Sequence, residues 1–463
     1  RVGGPKAVSL GRAVHQKPGE PGRNAGERGE AELEAVRDEA RTARRATGSP
    51  GRDGLLAQAL ASANMVLAWK RVKANRGSAG ADGLSIAETA EYLRMHWPRI
   101  RESLLDGSYR PVPVRCVQIP KADGGVRELG IPTVTDRLIQ QALLQVLQPI
   151  IDPTFSEHSY GFRPGRRAHD AVLDAQRYVQ DGYRVVVDVD LEKFFDRVNH
   201  DILMERLARR IDDKAVLRLV RRYLVAGILD GGVLIERYEG TPQGGPLSPL
   251  LANVLLDEVD RELERRGHRF VRYADDCNVY VCSRRAGERV LEGLRKLYDR
   301  LHLKINEAKT AVASATGRKL LGYELWRSAG DRIKCAVAYK ALETFKQRIR
   351  EMTRRSGGRS LPEVAERLRA YMPGWKAYFQ LAQTPKVFRE LDEWIRHRLR
   401  AVQLKHWRRG TTMYRELKAM GASEADARKV AANSRCWWRN SRMRLNRAMP
   451  IAYFDRLGVP RLS

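Results

Sequence analysis

The stretch Arg272–Val281, RYADDCNVYV, sets two adjacent carboxylates, Asp275 and Asp276, between apolar and aromatic runs that read as the two strands of a hairpin. Aspartate is a poor strand former, and neighbouring like charges repel. The pair becomes tolerable when a cation neutralises it. Magnesium takes hard oxygen ligands, usually one or two carboxylates together with substrate phosphates. Two such ions about 3.5 to 4 Å apart can activate a hydroxyl nucleophile and stabilise a departing phosphate. On this reading the hairpin is one half of a two-metal site.

The other half should be an acid at the end of a neighbouring strand. VVVDVDLEKFFD, residues 185–196, reads as a buried strand and offers Asp188 and Asp190. Two residues apart, they share a face, and Asp190 sits where the strand runs out. Asp188 and Asp196 read as structural or helix-capping acids. Between the two acidic stretches lies TPQGGPLSP, residues 241–249, a glycine-rich turn leading into a helix. Either acidic stretch alone is weak evidence, but all three in this order are hard to explain as surface chemistry.

Charge narrows the partner. The chain of 463 residues carries 85 Lys and Arg against 56 Asp and Glu, a net +29. An excess of this size points to a polyanion, with nucleic acid ahead of an anionic membrane surface. Residues 340–463 alone hold 29 Lys and Arg against 11 Asp and Glu, with five of the eight Trp (Trp375, Trp394, Trp407, Trp437, Trp438). Basic helices interleaved with aromatics suit a surface that tracks phosphates and stacks on bases, although most of those rings read as core. The candidate contacts are Arg396, Arg398, Arg400, Lys405, Arg408, Arg409, Arg435 and Arg439. Five scattered cysteines without a CxxC argue against structural zinc and against a disulfide framework. No apolar run is long enough to span a bilayer, so a cytoplasmic, reduced protein is expected. The sequence opens on Arg1 rather than Met.

The organisation follows from composition and period. Residues 1–54 read as a flexible segment in which EAELEAVRDEARTARRA (30–46) could form a solvated helix. Residues 55–110 read as a helical extension, 111–338 as an α/β region, and 339–463 as all helix. A helix over TDRLIQQALLQVLQPII is expected to be capped by Thr135.

In combination these stretches resemble the polymerase motifs of reverse transcriptases: VDVDLEKFFDRVNHD (187–201), GTPQGGPLSPLLANVLLDEVDREL (240–263) and RYADDCNVYV occur in the family's order. They look most like bacterial group II intron-encoded reverse transcriptase/maturases. LHLKINEAKTAV (301–312), KLLGYEL (319–325) and the tail from YMPGWKAYFQLA (371–382) resemble later palm blocks and the maturase-specific thumb. The likeness covers about 55–463. It implies an α+β right-hand polymerase, with fingers and an antiparallel palm followed by an all-α thumb, that is an RNA-directed DNA polymerase using two Mg²⁺. The implied partners are intron RNA, target DNA with its primer, and deoxynucleotides, with splicing assistance and intron mobility as the roles. By resemblance, Asp190, Asp275 and Asp276 are catalytic metal ligands, joined by the Leu191 carbonyl. Phe195 underlies the nucleotide sugar and excludes a 2′-hydroxyl. Gln243 and Gly244 approach nucleotide and nucleic acid, Lys121 and Arg127 grip the triphosphate, and Lys309 assists pyrophosphate departure. Lacking cysteine pairs after FDRLGVPRLS, the chain resembles members without an HNH endonuclease, which implies priming from an existing DNA end. The competing readings are a splicing cofactor with a vestigial polymerase site and a reverse transcriptase serving defence or repair.

Overall fold

The apolar run Val185–Val189 is an inner strand in the computed structural model, which describes residues 54–120, 125–230, 233–442 and 445–463. The strands among the described residues are β1 (Val114–Pro120), β2 (Val126–Ile131), β3 (Val185–Val189), β4 (Ile228–Asp230), β5 (Val233–Ile235), β6 (Arg269–Tyr273), β7 (Asp276–Val281), β8 (Ala311–Ser314), β9 (Lys319–Leu320), β10 (Tyr323–Arg327) and β11 (Ile333–Val337). They form three sheets, in the orders β6-β7-β3-β8, β2-β1-β4-β5 and β11-β10-β9. The first is antiparallel throughout. The second includes one parallel pair, β1 with β4.

Alternation along β3 explains its position. Val187 and Val189 face a core built on the helices Val134–Ile151, Ser248–Arg265 and Arg284–Arg300. Val186 faces a second core under the helix Ala168–Gln180, with Val271 and Tyr280 beside it. A strand buried on both faces reads as a continuous valine run. The even-numbered face that carries Val186 also carries Asp188 and, just past the strand, Asp190.

A third core holds the C-terminal region together. Helices Tyr339–Met352, Leu361–Tyr378, Pro385–Trp407, Gly410–Ala419, Glu424–Ala432 and Ile451–Arg456 pack around Phe345, Leu368, Ile395, Leu399, Met413 and Phe454, all of them fully buried. Trp375, Trp394, Trp407 and Trp437 lie partly buried against this core, while Trp438 is exposed. The mixed α+β architecture with a helical C-terminal region is therefore the one expected.

Two local expectations change. Thr133, not Thr135, caps the helix Val134–Ile151, its hydroxyl accepting from the Asp136 amide at 3.0 Å. Thr135 lies two residues too late, inside the helix. The run 55–75 is two helices, Leu55–Ala59 and Ser62–Ala74, rather than one. The segment 1–53, including the helix expected over 30–46, lies outside the described residues, and so does Lys121. Among the described residues no helix is long and apolar enough to cross a membrane.

Candidate active site

The hairpin register is the starting point. Tyr273 pairs with Asp276, leaving a two-residue turn of Ala274 and Asp275. Ala274 adopts φ +59°, in the left-handed region, which for a residue with a Cβ costs about 1–3 kcal/mol. The structure around it over-determines that conformation. Arg272, fully buried, donates to the Ala274 carbonyl at 2.9 Å. The same guanidinium reaches Asp260 through Nε at 2.8 Å and Nη2 at 2.5 Å, Asn253 Oδ1 at 2.8 Å and Ser159 Oγ at 2.8 Å. Every guanidinium N–H thus has an acceptor.

Arg272 ties three elements together. Asn253 and Asp260 lie on one face of the helix Ser248–Arg265, and that face continues through Asp257 and Glu264, which receive the Ser156 amide and hydroxyl. Segment 158–160 lies along the outer edge of β6, exchanging backbone hydrogen bonds of 2.9 Å with Arg272 in both directions. Gly161 follows, and a Cβ there would stand 2.2 Å from the Ala274 amide nitrogen. Only glycine lets this support come so close.

The β3–β7 register ends at Val189 opposite Cys277. One further step sets Asp190 opposite Asp276, so the three aspartates predicted from sequence converge at one end of the sheet. Asp276 opens to solvent on one side, yet removal from water by the surrounding protein, and then the carboxylates of Asp275, Asp190 and Asp188, raise its pKa to about 6. Burial also raises Asp275, with Asp190 adding to it and Arg127 and Arg272 opposing. Lys309 Nζ lies 3.8 Å from Asp190 and offsets part of this negative charge.

Asp190 is held by residues that sequence reading passed over. Asn306 donates from Nδ2 to Asp190 Oδ2 at 3.0 Å and from its amide to the Asp190 carbonyl at 2.8 Å. The Asp190 amide donates to Thr310 Oγ1 at 3.2 Å. Leu191 is buried and bridges to Ile305, fixing the chain just beyond Asp190. Asp188 is a structural acid: Arg318 pairs with it at 2.8 Å and also donates to the Lys309 carbonyl at 3.2 Å. Asp196 pairs with Arg237 at 3.6 Å.

The remaining candidates divide. Arg127 donates to Gln243 Oε1, so the β1–β2 hairpin and the TPQGG turn meet. Phe195 is 8% exposed, packs edge-on against Phe194, and its carbonyl accepts from the Thr241 amide at 2.7 Å, on that same turn. Gly244 has φ +141°, and a Cβ there would meet the Gly130 carbonyl at 2.5 Å. Its close approach is therefore to the backbone of β2.

Two of the expected nucleic-acid contacts are corrected. Arg396, 2% exposed, pairs with Asp392 at 3.1 Å inside the helical region. Arg400, 6% exposed, donates to the Met449 carbonyl at 3.0 Å. Neither presents its charge to a partner. Arg408, Arg409, Arg435 and Arg439 are exposed, and Arg398 and Lys405 are half-buried.

Among the described residues no three acidic, imidazole or thiol groups form a closed metal cage. The donor set nonetheless fits divalent ions. After burial, the charge of Asp190 raises the pKa of Asp275 and the charges of Asp275 and Asp190 raise that of Asp276, a crowding of oxygen ligands that a cation relieves, and an open face leaves positions for water and phosphate oxygens.

Residues 119–325 match a family model described as reverse transcriptase (RNA-dependent DNA polymerase), and residues 342–421 one described as group II intron, maturase-specific domain. Over 191 residues the chain is 39% identical to protein YkfC of Escherichia coli strain K12, covering 40% of this chain and 50% of that protein. Over 271 residues it is 32% identical to group II intron-encoded protein LtrA of Lactococcus lactis subsp. cremoris, covering 58% of this chain and 43% of that one. The chain thus spans about half the length of these curated relatives. The solved partial Cas6-RT-Cas1–Cas2 complex superposes with a TM-score of 0.35 at 26% identity, over 53% of this chain and 42% of that one. That is too loose a superposition to define a shared fold.

Proposed function

From a chain that carries a reverse transcriptase domain followed by a group II intron maturase-specific domain, we infer an RNA-directed DNA polymerase that binds a group II intron RNA, assists its splicing and copies it into DNA during intron mobility. The convergence of Asp190, Asp275 and Asp276 at one sheet end carries this reading. The inferred setting is a cytoplasmic ribonucleoprotein, with deoxynucleotides, primer and target DNA as further partners.

In the reaction the primer 3′-hydroxyl forms a bond to the α-phosphorus while the bond to pyrophosphate breaks. Asp190 and Asp275, supported by Asp276 and the Leu191 carbonyl, would hold Mg²⁺. When bound, two such ions neutralise charge on the attacking and departing oxygens. Asn306 fixes one oxygen of Asp190, leaving the other to face the site. Arg127, oriented by Gln243, draws in the triphosphate, with Lys121, six positions earlier in the sequence. Lys309 stands where it can favour departure of the pyrophosphate. The Phe195 ring lies under the sugar and selects against a 2′-hydroxyl, and Gly244 lets the TPQGG turn pack on the Gly130 carbonyl. Arg408, Arg409, Arg435 and Arg439 offer exposed charge to RNA backbone. Most of the rate comes from positioning and charge neutralisation.

The test is primer extension on an RNA template with deoxynucleotides and Mg²⁺, run beside an intron-splicing assay. Asp275→Ala is expected to abolish extension and to leave splicing assistance intact. Extension that survives in this variant would overturn the site assignment. Loss of both activities would overturn their separation. A wild type that assists splicing but extends nothing would make the splicing cofactor the better reading.

A further inference from the structure

Some of the chain's arginines are neutralised by nearby acids. On the helix Tyr339–Met352, for example, Arg348 pairs with Glu351 at 2.9 Å. Along one side of the helical region the pattern reverses. The guanidinium carbons of Arg350 and Arg398 lie 5.7 Å and 5.3 Å from the centroid of Trp394. Farther along, Lys405 Nζ lies 4.8 Å and the guanidinium of Arg355 6.0 Å from the centroid of Trp437. Arg398 is fixed within the first group: it donates from Nε to Thr353 Oγ1 at 2.7 Å and from Nη2 to the Arg350 carbonyl at 3.4 Å. Among the described residues, none of these four cations has a carboxylate partner. Burial, and after it the charges of Arg355 and Arg350, push Arg398 down to about 10.

A carboxylate would fix these side chains equally well, but it would cancel their charge. A ring face fixes a cation and leaves its charge intact, with N–H groups still free to donate. Four like charges gathered without an acid repel one another, and an anionic ligand removes that repulsion. A hydrogen-bonding polyanion with regularly spaced charges matches a row of this kind, whereas a lone phosphate would engage only part of it.

We propose that Arg350, Arg355, Arg398 and Lys405, braced by Trp394 and Trp437, form a clamp for the phosphodiester backbone of folded RNA. The proposal rests on the RNA-partner reading above and assigns it a surface. The clamp reads phosphates rather than bases, so it contributes affinity and register without sequence preference.

The test is fluorescence anisotropy of a labelled RNA hairpin, titrated with the full chain at several KCl concentrations. Arg350 and Arg355 are exposed, and replacing both with Gln leaves the core untouched. For Arg350→Gln/Arg355→Gln the slope of log affinity against log salt is expected to fall by about 1.4–1.8, since each lost phosphate contact is worth about 0.7–0.9. The control is Arg348→Gln/Arg415→Gln, which removes two arginines already paired with Glu351 and Glu416. Its slope is expected to stay at the wild-type value. If both double variants lower the slope equally, total charge rather than the ring-held row binds RNA, and the clamp is refuted. If wild type binds steeply and Arg350→Gln/Arg355→Gln binds the same way, the clamp falls while the RNA-partner reading stands. If wild type does not bind the hairpin, both fall.

Discussion

Arg272 offers the sharpest test of how the fold builds its active site. Arg272→Met removes a buried cation and leaves Asp260, fully buried, without its partner. Breaking such a pair from one side costs about 3–5 kcal/mol. It also releases the Ala274 carbonyl, so nothing on that side holds the left-handed turn that aims Asp275 and Asp276. A displacement of about 1 Å at reacting groups costs on the order of a hundredfold in rate. Two effects are therefore superimposed, and Arg272→Met/Asp260→Leu separates them. With both charges gone, a well-packed apolar pair restores most of the stability. The carbonyl tether stays lost, so kcat for primer extension is expected to remain about a hundredfold down while KM for the nucleotide changes little. Stability would be followed by urea unfolding and by amide-exchange protection of β6 and β7. A double variant that regains both stability and kcat would refute the positioning role and leave Arg272 as a packing residue. A single variant within about 1 kcal/mol of wild type would refute the energetic argument itself.

Three further outcomes follow from the geometry. Asn306→Ala should lower kcat about tenfold, on the order of 1.4 kcal/mol for one hydrogen bond to a charged group, with template binding unchanged; a loss confined to template binding would contradict its link to Asp190. Phe195→Val should relax the choice of deoxy- over ribonucleotide by about tenfold or more in competition assays, and unchanged selectivity would remove Phe195 from the sugar pocket. Asp276 has a folded-state pKa of about 6 against an ordinary 3.8. Between those values the folded state holds a proton that the unfolded state has lost, so without metal this carboxyl makes stability fall as pH rises through that window. Melting of the metal-free protein should show that decline, with Asp276→Asn showing less of it and Mg²⁺ reversing it near neutral pH; identical profiles for the two proteins would contradict the crowding of carboxylates.

The aspartates were legible in sequence because their residue type conflicts with their surroundings. An acid at the end of a valine run, and two acids inside a hairpin, need a reason. Asn306 and Arg318 carried no such mark. Each is an ordinary residue in a loop, brought to Asp190 and Asp188 across more than a hundred positions of chain. Arg272 could have been seen: it is a cation on the inward face of a buried strand, and Asn253, Asp257, Asp260 and Glu264 form a polar row along an otherwise apolar helix. The thumb arginines show the opposite error. Counting charge does not say which face it occupies. Asp392, Arg396 and Arg400 recur at four-residue intervals on one face of a helix, and that face turned out to be the inner one.

The order of strands in the sheet β6-β7-β3-β8 has a consequence for synthesis. β3 ends at Val189, yet its partners are β7, ending at Val281, and β8, which closes the sheet at Ser314. A ribosome adding about 5–20 residues per second leaves the valine run unpaired for roughly 5 to 18 seconds, until β7 is made, and short of its second partner for roughly 6 to 25 seconds. Throughout that interval a strand meant for burial on both faces is available to any other nascent copy. The vulnerable species is thus the growing chain rather than the finished protein, and slower initiation or a holdase acting on residues 185–189 should raise yield more than any stabilisation of the native state.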